Sequence, residues 1–233
     1  MSSNLKFYSN LMSQPCRSLY IVMNLAKIPF ETVTIALREG DHATESFARE
    51  VNNLKTIPSI NDAGFKLGES IAILRYLATK SSLIVRWYPT GARMRARVDE
   101  YLEWHHLNVR APCSGYFVES WLKPRQTKQP PNDQVLEKRH SQVNKTLDCL
   151  ENVWLAEGDF LVGTDVSAAD IWAICELEQL TLIPFDPTEG RPKLRAWMQR
   201  VRKATNPFYD DAHETLWNIR KKSMQNAQRS PKL

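Results

Sequence analysis

The chain has 233 residues, of which 42% are apolar and 24% charged, an ordinary globular balance with room for two modest domains. No apolar run approaches the roughly 18 residues of a membrane span, and no signal peptide is evident, so we expect a cytoplasmic protein without membrane contact. The net charge is +5, and residues 191–233 alone carry +8, with eleven basic residues against three acidic ones. No aromatic-rich binding signature accompanies them, which favours a solvated helix face over a nucleic-acid site.

The first elements along the chain predict a β-α-β unit. Residues 5–8 read as a short strand, and Pro15 suits the first turn of a helix that runs to about Ala26. Residues 30–37 alternate with β-branched side chains and predict a second strand. A helix that crosses between two neighbouring strands makes them parallel.

Two more short strands and a helix complete this α/β part. Residues 42–50 resemble a short irregular helix, and KTIPSI and FKLGES predict strands on either side of a turn. Ser70 begins a helix with a buried apolar face, and residues 83–92 form a connector.

Beyond the connector the pattern is helical only. Residues 92–110 carry apolar side chains at helical spacing, residues 123–133 predict a Pro-rich loop, and helical spacing resumes over 133–155. Ser167 and Asp170 predict a capping box with apolar residues at the staple positions. The predicted fold is therefore an α/β domain over residues 1–82, a linker over 83–92 and an all-helical domain over 93–233.

The segment LMSQPCRS, residues 11–18, raises a question of thiol chemistry. Ser13 precedes the first helix and is by type a helix cap, but its hydroxyl also faces the positive end of that helix, where it can donate a hydrogen bond to a bound thiolate. Cys16 lies one turn on, either as a reactive thiol in a pocket or as a buried packing residue, and packing is favoured. The four cysteines are widely spaced and fit no zinc pattern, which predicts reduced thiols and no bound metal.

Two further motifs belong to the same α/β part. Pro58 holds Ile57 extended, with its backbone groups free to pair with a ligand, and indicates either a bend with a cis bond or an ordinary edge-strand proline. Ser70 and the first helical N–H groups suit a carboxylate, and Glu69 suits an ammonium group. Together with Ser13 they describe a pocket for a peptide-like thiol.

Two basic side chains are weaker candidates. His42 lies in a polar loop and is either solvated or a ligand of an anionic end. Arg110 follows the apolar stripe of the long helix and can point back towards the pocket.

In this order and spacing the motifs resemble the glutathione S-transferases, and most nearly their theta class, across nearly the whole chain. The segments that carry the resemblance are SQPCR, His42, Ile57–Pro58, Glu69–Ser70, RARVDEYLEWHH and SAAD.

The resemblance implies a thioredoxin-like domain that binds glutathione and a helical domain that shapes the electrophile pocket. It implies that Ser13 hydrogen-bonds the glutathione sulfur and favours the thiolate, with Arg110 near the sulfur. It further implies six glutathione-binding residues, namely Ile57 and cis-Pro58 at the cysteinyl backbone, Glu69 and Ser70 at the γ-glutamyl end, and His42 and Lys55 at the glycyl carboxylate.

The activity implied is conjugation of reduced glutathione to hydrophobic electrophiles in detoxification, with peroxidase activity on organic hydroperoxides as a side reaction. Glutathione is then a co-substrate, and we expect no other cofactor. The resemblance also implies a homodimer. The electrophile pocket has no readable motif, and its candidate residues are chosen by place alone: Met12, Leu37, Leu107, Ala111 and Phe117.

Two departures from the family pattern and two alternative functions remain. Asn52-Asn53 stands where the family commonly has Asn-Pro, and the polar end QNAQRSPKL replaces a longer covering helix of vertebrate-type theta enzymes, which predicts a more open electrophile site. The alternatives are a non-catalytic glutathione or ligand-binding adaptor of the same fold, and a thiol transferase that uses Cys16.

Overall fold

A computed structural model describes residues 5–229 of the chain. Residues 1–4 and 230–233 lie outside the described residues, and with them the outer ends of both predicted domains and the last part of the predicted polar tail. Within the described residues, no helix combines the length and the apolar character that a membrane crossing needs.

The first part of the chain builds a mixed four-stranded sheet. Its strands are β1 (Leu5–Ser9), β2 (Glu31–Thr34), β3 (Ser59–Asp62) and β4 (Phe65–Gly68), in the order β2-β1-β3-β4. Helix α1 (Gln14–Leu25) connects β1 to β2, and these two strands pair in parallel as predicted. The β1–β3 and β3–β4 pairs are antiparallel.

Three strands are shorter than the sequence predicts. Strand β2 ends at Thr34 because the chain turns next, and the N–H of Ala36 donates to the Asp41 carboxylate at 3.2 Å instead of continuing a ladder. Strand β3 begins only at Ser59, since the preceding loop is held by side-chain hydrogen bonds from Asn52. Strand β4 ends at Gly68, ahead of the next helix.

Two more helices flank this sheet. Thr44 caps α2 (Glu45–Glu50) by accepting the N–H of Phe47 at 3.2 Å, and a 3-10 turn at Asp41–Ala43 precedes it, which confirms the predicted short irregular helix. Helix α3 (Ser70–Lys80) follows β4 and buries an apolar face, also as predicted.

One long helical stretch opens the second part. It consists of α4 (Ala92–His105), α5 (Ala111–Phe117) and α6 (Lys123–Thr127), joined through π-helical turns at His106–Arg110 and Val118–Leu122. The predicted helix over 92–110 is thus confirmed and extends further.

The predicted Pro-rich loop over 123–133 is wrong in its first half, which is helical. A proline cannot donate the usual helical hydrogen bond, and each of the two π turns is followed directly by a helix with a proline in its first turn, Pro112 in α5 and Pro124 in α6. The irregular turns therefore let both prolines remain within the long helical stretch.

The remaining helices are α7 (Asp133–Cys149) with a π turn to Trp154, α8 (Ala168–Leu180), α9 (Pro192–Thr205) and α10 (Phe208–Arg229). The described residues beyond α3 form no strand, which confirms the predicted change from an α/β part to an all-helical part. Helix α8 is buried on almost every side and packs against α1, which also contacts α10.

The predicted capping box at the start of α8 is present. The buried Asp170 carboxylate accepts the N–H and the hydroxyl of Ser167 at 2.9 and 3.0 Å. The same carboxylate accepts the N–H of Leu161 and the indole N–H of Trp197, both at 2.8 Å. Asp170 thus organises the loop before α8 and the packing of α9 together.

Polar side chains join the two parts in the interior. Arg17 of α1 is fully buried and donates to the carbonyls of Leu11 and Cys175 and to the amide oxygen of Gln179, at 2.8 to 2.9 Å. The indole of Trp172, on α8, donates to the Ser70 hydroxyl at 3.1 Å. These contacts fix the helical part against the loops that hold the predicted site.

Candidate active site

Ser13 stands at the N-terminal end of α1, where the chain leaves β1. Its backbone is extended, with φ −84° and ψ 125°, and its hydroxyl makes no capping bond to the helix. The turn is closed instead by the Ser13 N–H, which donates to the Asn10 carbonyl at 2.9 Å. The half-exposed hydroxyl is therefore available at the positive end of the helix dipole.

Cys16 lies one turn deeper in α1 and is fully buried. Burial raises the pKa of its thiol to about 11, and the nearby Ser13 side chain opposes that rise only in part. A thiol with this pKa is almost entirely protonated near neutral pH. The geometry favours the packing interpretation of Cys16.

The Ile57–Pro58 peptide bond is cis, and the β3 pairing begins just after it at Ser59. The loop before it is organised by Asn52, whose amide donates to the Thr56 carbonyl at 2.9 Å and to the Ser59 hydroxyl at 3.1 Å. Asn52 thus connects both ends of the loop that presents Ile57.

The turn over residues 52–55 supports a stability prediction for Asn53→Pro. Asn53 is exposed at the second position of this turn, which the Lys55 N–H closes to the Asn52 carbonyl at 2.9 Å. Proline is favoured at that position and restricts the unfolded chain, so we expect about 0.4–1 kcal/mol of added stability in thermal or denaturant unfolding.

The control is Leu54→Pro. It removes the N–H that donates to the Asn52 side chain at 3.1 Å and places proline at the disfavoured third position, so stability is expected to fall. Destabilisation by Asn53→Pro would contradict the turn geometry.

Glu69 and Ser70 stand together at the start of α3. Glu69 has a φ of 61°, a strained conformation for a residue with a side chain, and its side chain is exposed. The buried Ser70 hydroxyl accepts the Trp172 indole N–H, which leaves its O–H free to donate. An exposed carboxylate beside a directed hydroxyl and helix N–H groups suits an ammonium and a carboxylate on one ligand.

His42 and Lys55 differ in how available they are. The Nδ1 atom of His42 is buried and has no hydrogen-bond partner among residues 5–229. The ammonium of Lys55 pairs with the Glu45 carboxylate at 2.5 Å, so binding a ligand carboxylate would require leaving that exposed partner.

Arg110 ends the π turn after α4, and its side chain is 36% exposed. Its guanidinium contacts the buried Glu176 carboxylate at 2.5 Å. The charge of Glu176 raises the pKa of Arg110, and Cys16 and Glu69 add to the effect. Arg110 therefore lies within electrostatic range of both the Ser13 end and the Glu69 end of the predicted site.

The five electrophile-pocket candidates lie in different surroundings. Met12 is half-buried against the core, and Leu37 is half-buried in the turn after β2. Phe117 is buried and stacks on Trp121 with ring centres 5.2 Å apart.

Leu107 and Ala111 instead line a cavity of about 330 Å³ between the long helix and α7. Leu107 is 78% exposed there. Leu107 and Ala111 thus line this cavity together with residues of α7.

Several residues that shape the site escape sequence reasoning. Trp172 and Glu176 lie on α8, far from the motifs along the chain, and no local pattern connects them to Ser70 or Arg110. The available signal was Glu176 itself, a charge within the apolar run of α8, since buried acidic residues are rare unless paired. No group of three or more potential metal ligands occurs within the described part of the chain.

Comparisons with known proteins show which family the chain resembles. Residues 3–79 match the family model "Glutathione S-transferase, N-terminal domain", and residues 112–204 match "Glutathione S-transferase, C-terminal domain". Glutathione S-transferase theta-1 of Rattus norvegicus is 38% identical over 217 residues, covering 93% of this chain and 90% of the rat protein.

Two solved structures are similar over most of their length. Human glutathione S-transferase T1-1 in its apo form superimposes with a TM-score of 0.86 at 36% identity, covering 95% of this chain and 97% of the human one. A human theta-class enzyme in complex with the glutathione conjugate of 1-menaphthyl sulfate gives a TM-score of 0.87 at 32% identity, covering 98% and 93%.

The chain therefore belongs to the glutathione S-transferases, with a thioredoxin-like N-terminal domain and a helical C-terminal domain. Its similarity to theta enzymes over more than nine-tenths of its length assigns it to the theta class. It is a transferase, and the homologous theta enzymes use glutathione as co-substrate.

Proposed function

We propose that the protein conjugates reduced glutathione to hydrophobic electrophiles and that Ser13 donates the hydrogen bond that stabilises the glutathione thiolate. The observation that carries this proposal is the Ser13 hydroxyl, which is half-exposed at the positive end of α1 and not used to cap it. A charged hydrogen bond and the helix dipole both favour a thiolate there.

The tripeptide would lie along the loops that end the strands. Ile57, ahead of cis-Pro58, offers backbone groups to the cysteinyl unit, and Glu69 and Ser70 take the ammonium and carboxylate of the γ-glutamyl end. The unpartnered buried Nδ1 of His42 supports a role at the glycyl carboxylate. Lys55 can bind the same carboxylate only after its ion pair with Glu45 breaks.

Arg110 would act at the reacting end. Its guanidinium lies in range of the Cys16 and Glu69 ends of the site, which supports a place beside the glutathione sulfur. The human relative bound to a conjugate of 1-menaphthyl sulfate supports electrophiles with an anionic leaving group. In that displacement the thiolate sulfur bonds to carbon, the carbon–oxygen bond breaks, and sulfate leaves with the electron pair.

Further properties of the protein belong to the same proposal. We take residues 1–82, 83–92 and 93–233 as glutathione domain, linker and electrophile domain, in a cytoplasmic homodimer with a role in detoxification. Reduction of organic hydroperoxides by two glutathione molecules, giving the alcohol, water and glutathione disulfide, is the proposed side activity.

The raised pKa and full burial of Cys16 argue against a thiol transferase that uses it.

The experiment combines calorimetric binding of glutathione with a turnover assay on 1-menaphthyl sulfate, in which both the thioether and the released sulfate are quantified. Saturable binding with equal amounts of both products supports the proposal. Binding without turnover of this ester or of an arylalkyl halide would indicate the adaptor alternative. Absence of glutathione binding would overturn the proposal.

A further inference from the structure

Glu176 is an acidic residue inside a nearly apolar helix. Its side chain is 2% exposed, Oε1 contacts Arg110, and Oε2 has no hydrogen-bond partner among residues 5–229. Burial raises the pKa of this carboxyl group, and Arg110 counteracts that rise. A buried carboxylate with half of its acceptors unused contributes little to stability, because desolvation offsets much of the attraction to its partner.

Two acidic residues, Glu176 and Glu69, act on the charge of Arg110. Arg110 carries a long side chain on a π turn, and both Glu176 and Glu69 raise its pKa. Glu176 comes from α8 of the helical domain, and Glu69 from the start of α3 in the glutathione domain. The guanidinium therefore contacts the carboxylate from α8, while the charge of Glu69 also acts on it.

We propose that Glu176 is a positioning residue that holds the Arg110 guanidinium beside the glutathione sulfur and off Glu69. This inference rests on the proposed function, in which Arg110 lies near the sulfur and Glu69 binds the γ-glutamyl ammonium. Glu176 touches neither reacting atom and acts through Arg110 alone.

The direct charge of Glu176 and its contact with Arg110 predict opposite effects of Glu176→Gln on the pKa of the bound thiol. The substitution removes a negative charge from the surroundings of the sulfur, which by itself lowers the pKa of the bound thiol. If Glu176 positions Arg110, the released guanidinium turns towards Glu69, the sulfur loses its cation, and that pKa rises instead. The sign of the change therefore separates the two roles.

The experiment titrates the ultraviolet absorbance of the thiolate in the enzyme–glutathione complex and measures kcat and KM with 1-menaphthyl sulfate. For Glu176→Gln we expect the thiol pKa to rise by about one unit, which lowers the thiolate fraction about tenfold below that pKa. We also expect kcat to fall by up to about tenfold at pH values below the thiol pKa of the wild type, and KM for glutathione to rise several-fold as Glu69 is occupied.

Glu178→Gln is the matched control. Glu178 lies on the same helix, but its carboxylate accepts from Tyr209 and Trp217 of α10. Its substitution is expected to leave the thiol pKa and kcat within about twofold of the wild-type values while it weakens the docking of α10.

A second variant keeps the proposal testable if Glu176→Gln fails to fold. Replacement of both Arg110 and Glu176 by methionine removes the ion pair as a unit, which buried pairs tolerate well. Its kcat is expected to equal that of Arg110→Met, because a residue that positions Arg110 adds nothing once Arg110 is gone. Its thiol pKa is expected to be equal to or lower than that of Arg110→Met, since only the direct charge effect of Glu176 is left.

Two results would overturn the inference. One is a lowered thiol pKa with unchanged kcat in Glu176→Gln, which would make Glu176 a buried counter-charge only. The other is Arg110→Met with wild-type kcat and thiol pKa. Failure of the wild-type protein to bind glutathione would overturn the proposed function as well, which distinguishes the two failures.

Discussion

Ser13→Ala is expected to lower kcat/KM for glutathione conjugation by about 10- to 150-fold, since a hydrogen bond to a charged group contributes about 1.5–3 kcal/mol. Glutathione affinity is expected to stay within about twofold, because in the proposed function Ile57, Glu69 and Ser70 bind the parts of the tripeptide away from the sulfur. Cys16 cannot replace the lost group, because burial already raises its pKa to about 11 and the substitution removes the Ser13 side chain that partly opposes this rise.

The pH dependence gives this prediction its sharpest form. Without the hydroxyl, the pKa of the bound thiol rises by about one to two units, so the activity of the variant increases with pH through a range where the wild type is already constant. The deficit should therefore nearly vanish at a pH above the thiol pKa of the variant.

Two companion variants test the assignment. Ser13→Thr retains a hydroxyl and is expected to recover most of the activity. Ser18→Ala removes a buried hydroxyl of the same helix that bonds the Gln14 carbonyl at 3.2 Å, and is expected to leave conjugation unchanged. Normal conjugation by Ser13→Ala at neutral pH would show that another group activates the thiol.

Asp170→Ala is expected to cost about 4 kcal/mol or more of the free energy of unfolding. The substitution leaves the N–H groups of Leu161 and Ser167 and the indole N–H of Trp197 without their shared acceptor in the interior. Each buried donor left unsatisfied costs about 1–3 kcal/mol. Since the total stability of a domain is about 5–15 kcal/mol, much of the variant should be unfolded near its working temperature.

Asp165→Ala is the control for this loss. Asp165 lies in the same loop and also accepts an N–H, that of Val166 at 2.8 Å, but its side chain is 59% exposed, so water replaces it. Chemical denaturation should place this control within about 1 kcal/mol of wild type. A similar value for Asp170→Ala would mean that the buried carboxylate is not the centre of that hydrogen-bond network.

Sequence reasoning succeeded where structure is set by neighbours along the chain. The parallel β1–β2 pair follows from a helix between two strands, and the capping box needs only Ser167 and Asp170 three residues apart. It was less accurate where side chains distant in sequence decide. The hydrogen bonds of Asn52 to Thr56 and Ser59 keep the predicted third strand from starting at residue 55.

The candidate site divides in the same way. Ser13, Ile57–Pro58 and Glu69–Ser70 could be predicted because each motif sits at a strand end or a helix start. Glu176 could not, because its role depends on α8 meeting the long helix in three dimensions. The electrophile pocket was the least accessible, since its helical side chains form no readable motif and its candidates could be chosen by place alone.

The buried Arg17 restricts which domains of related proteins can be combined with the domains of this protein. It belongs to the glutathione domain, yet two of its three hydrogen bonds end on Cys175 and Gln179 of the helical domain. The acceptor at Cys175 is a backbone carbonyl, but the one at Gln179 is a side chain that a foreign helical domain must also supply. A chimera that lacks it would enclose a guanidinium short of an acceptor, so recombination between relatives at the linker should succeed only when both halves carry this matched pair.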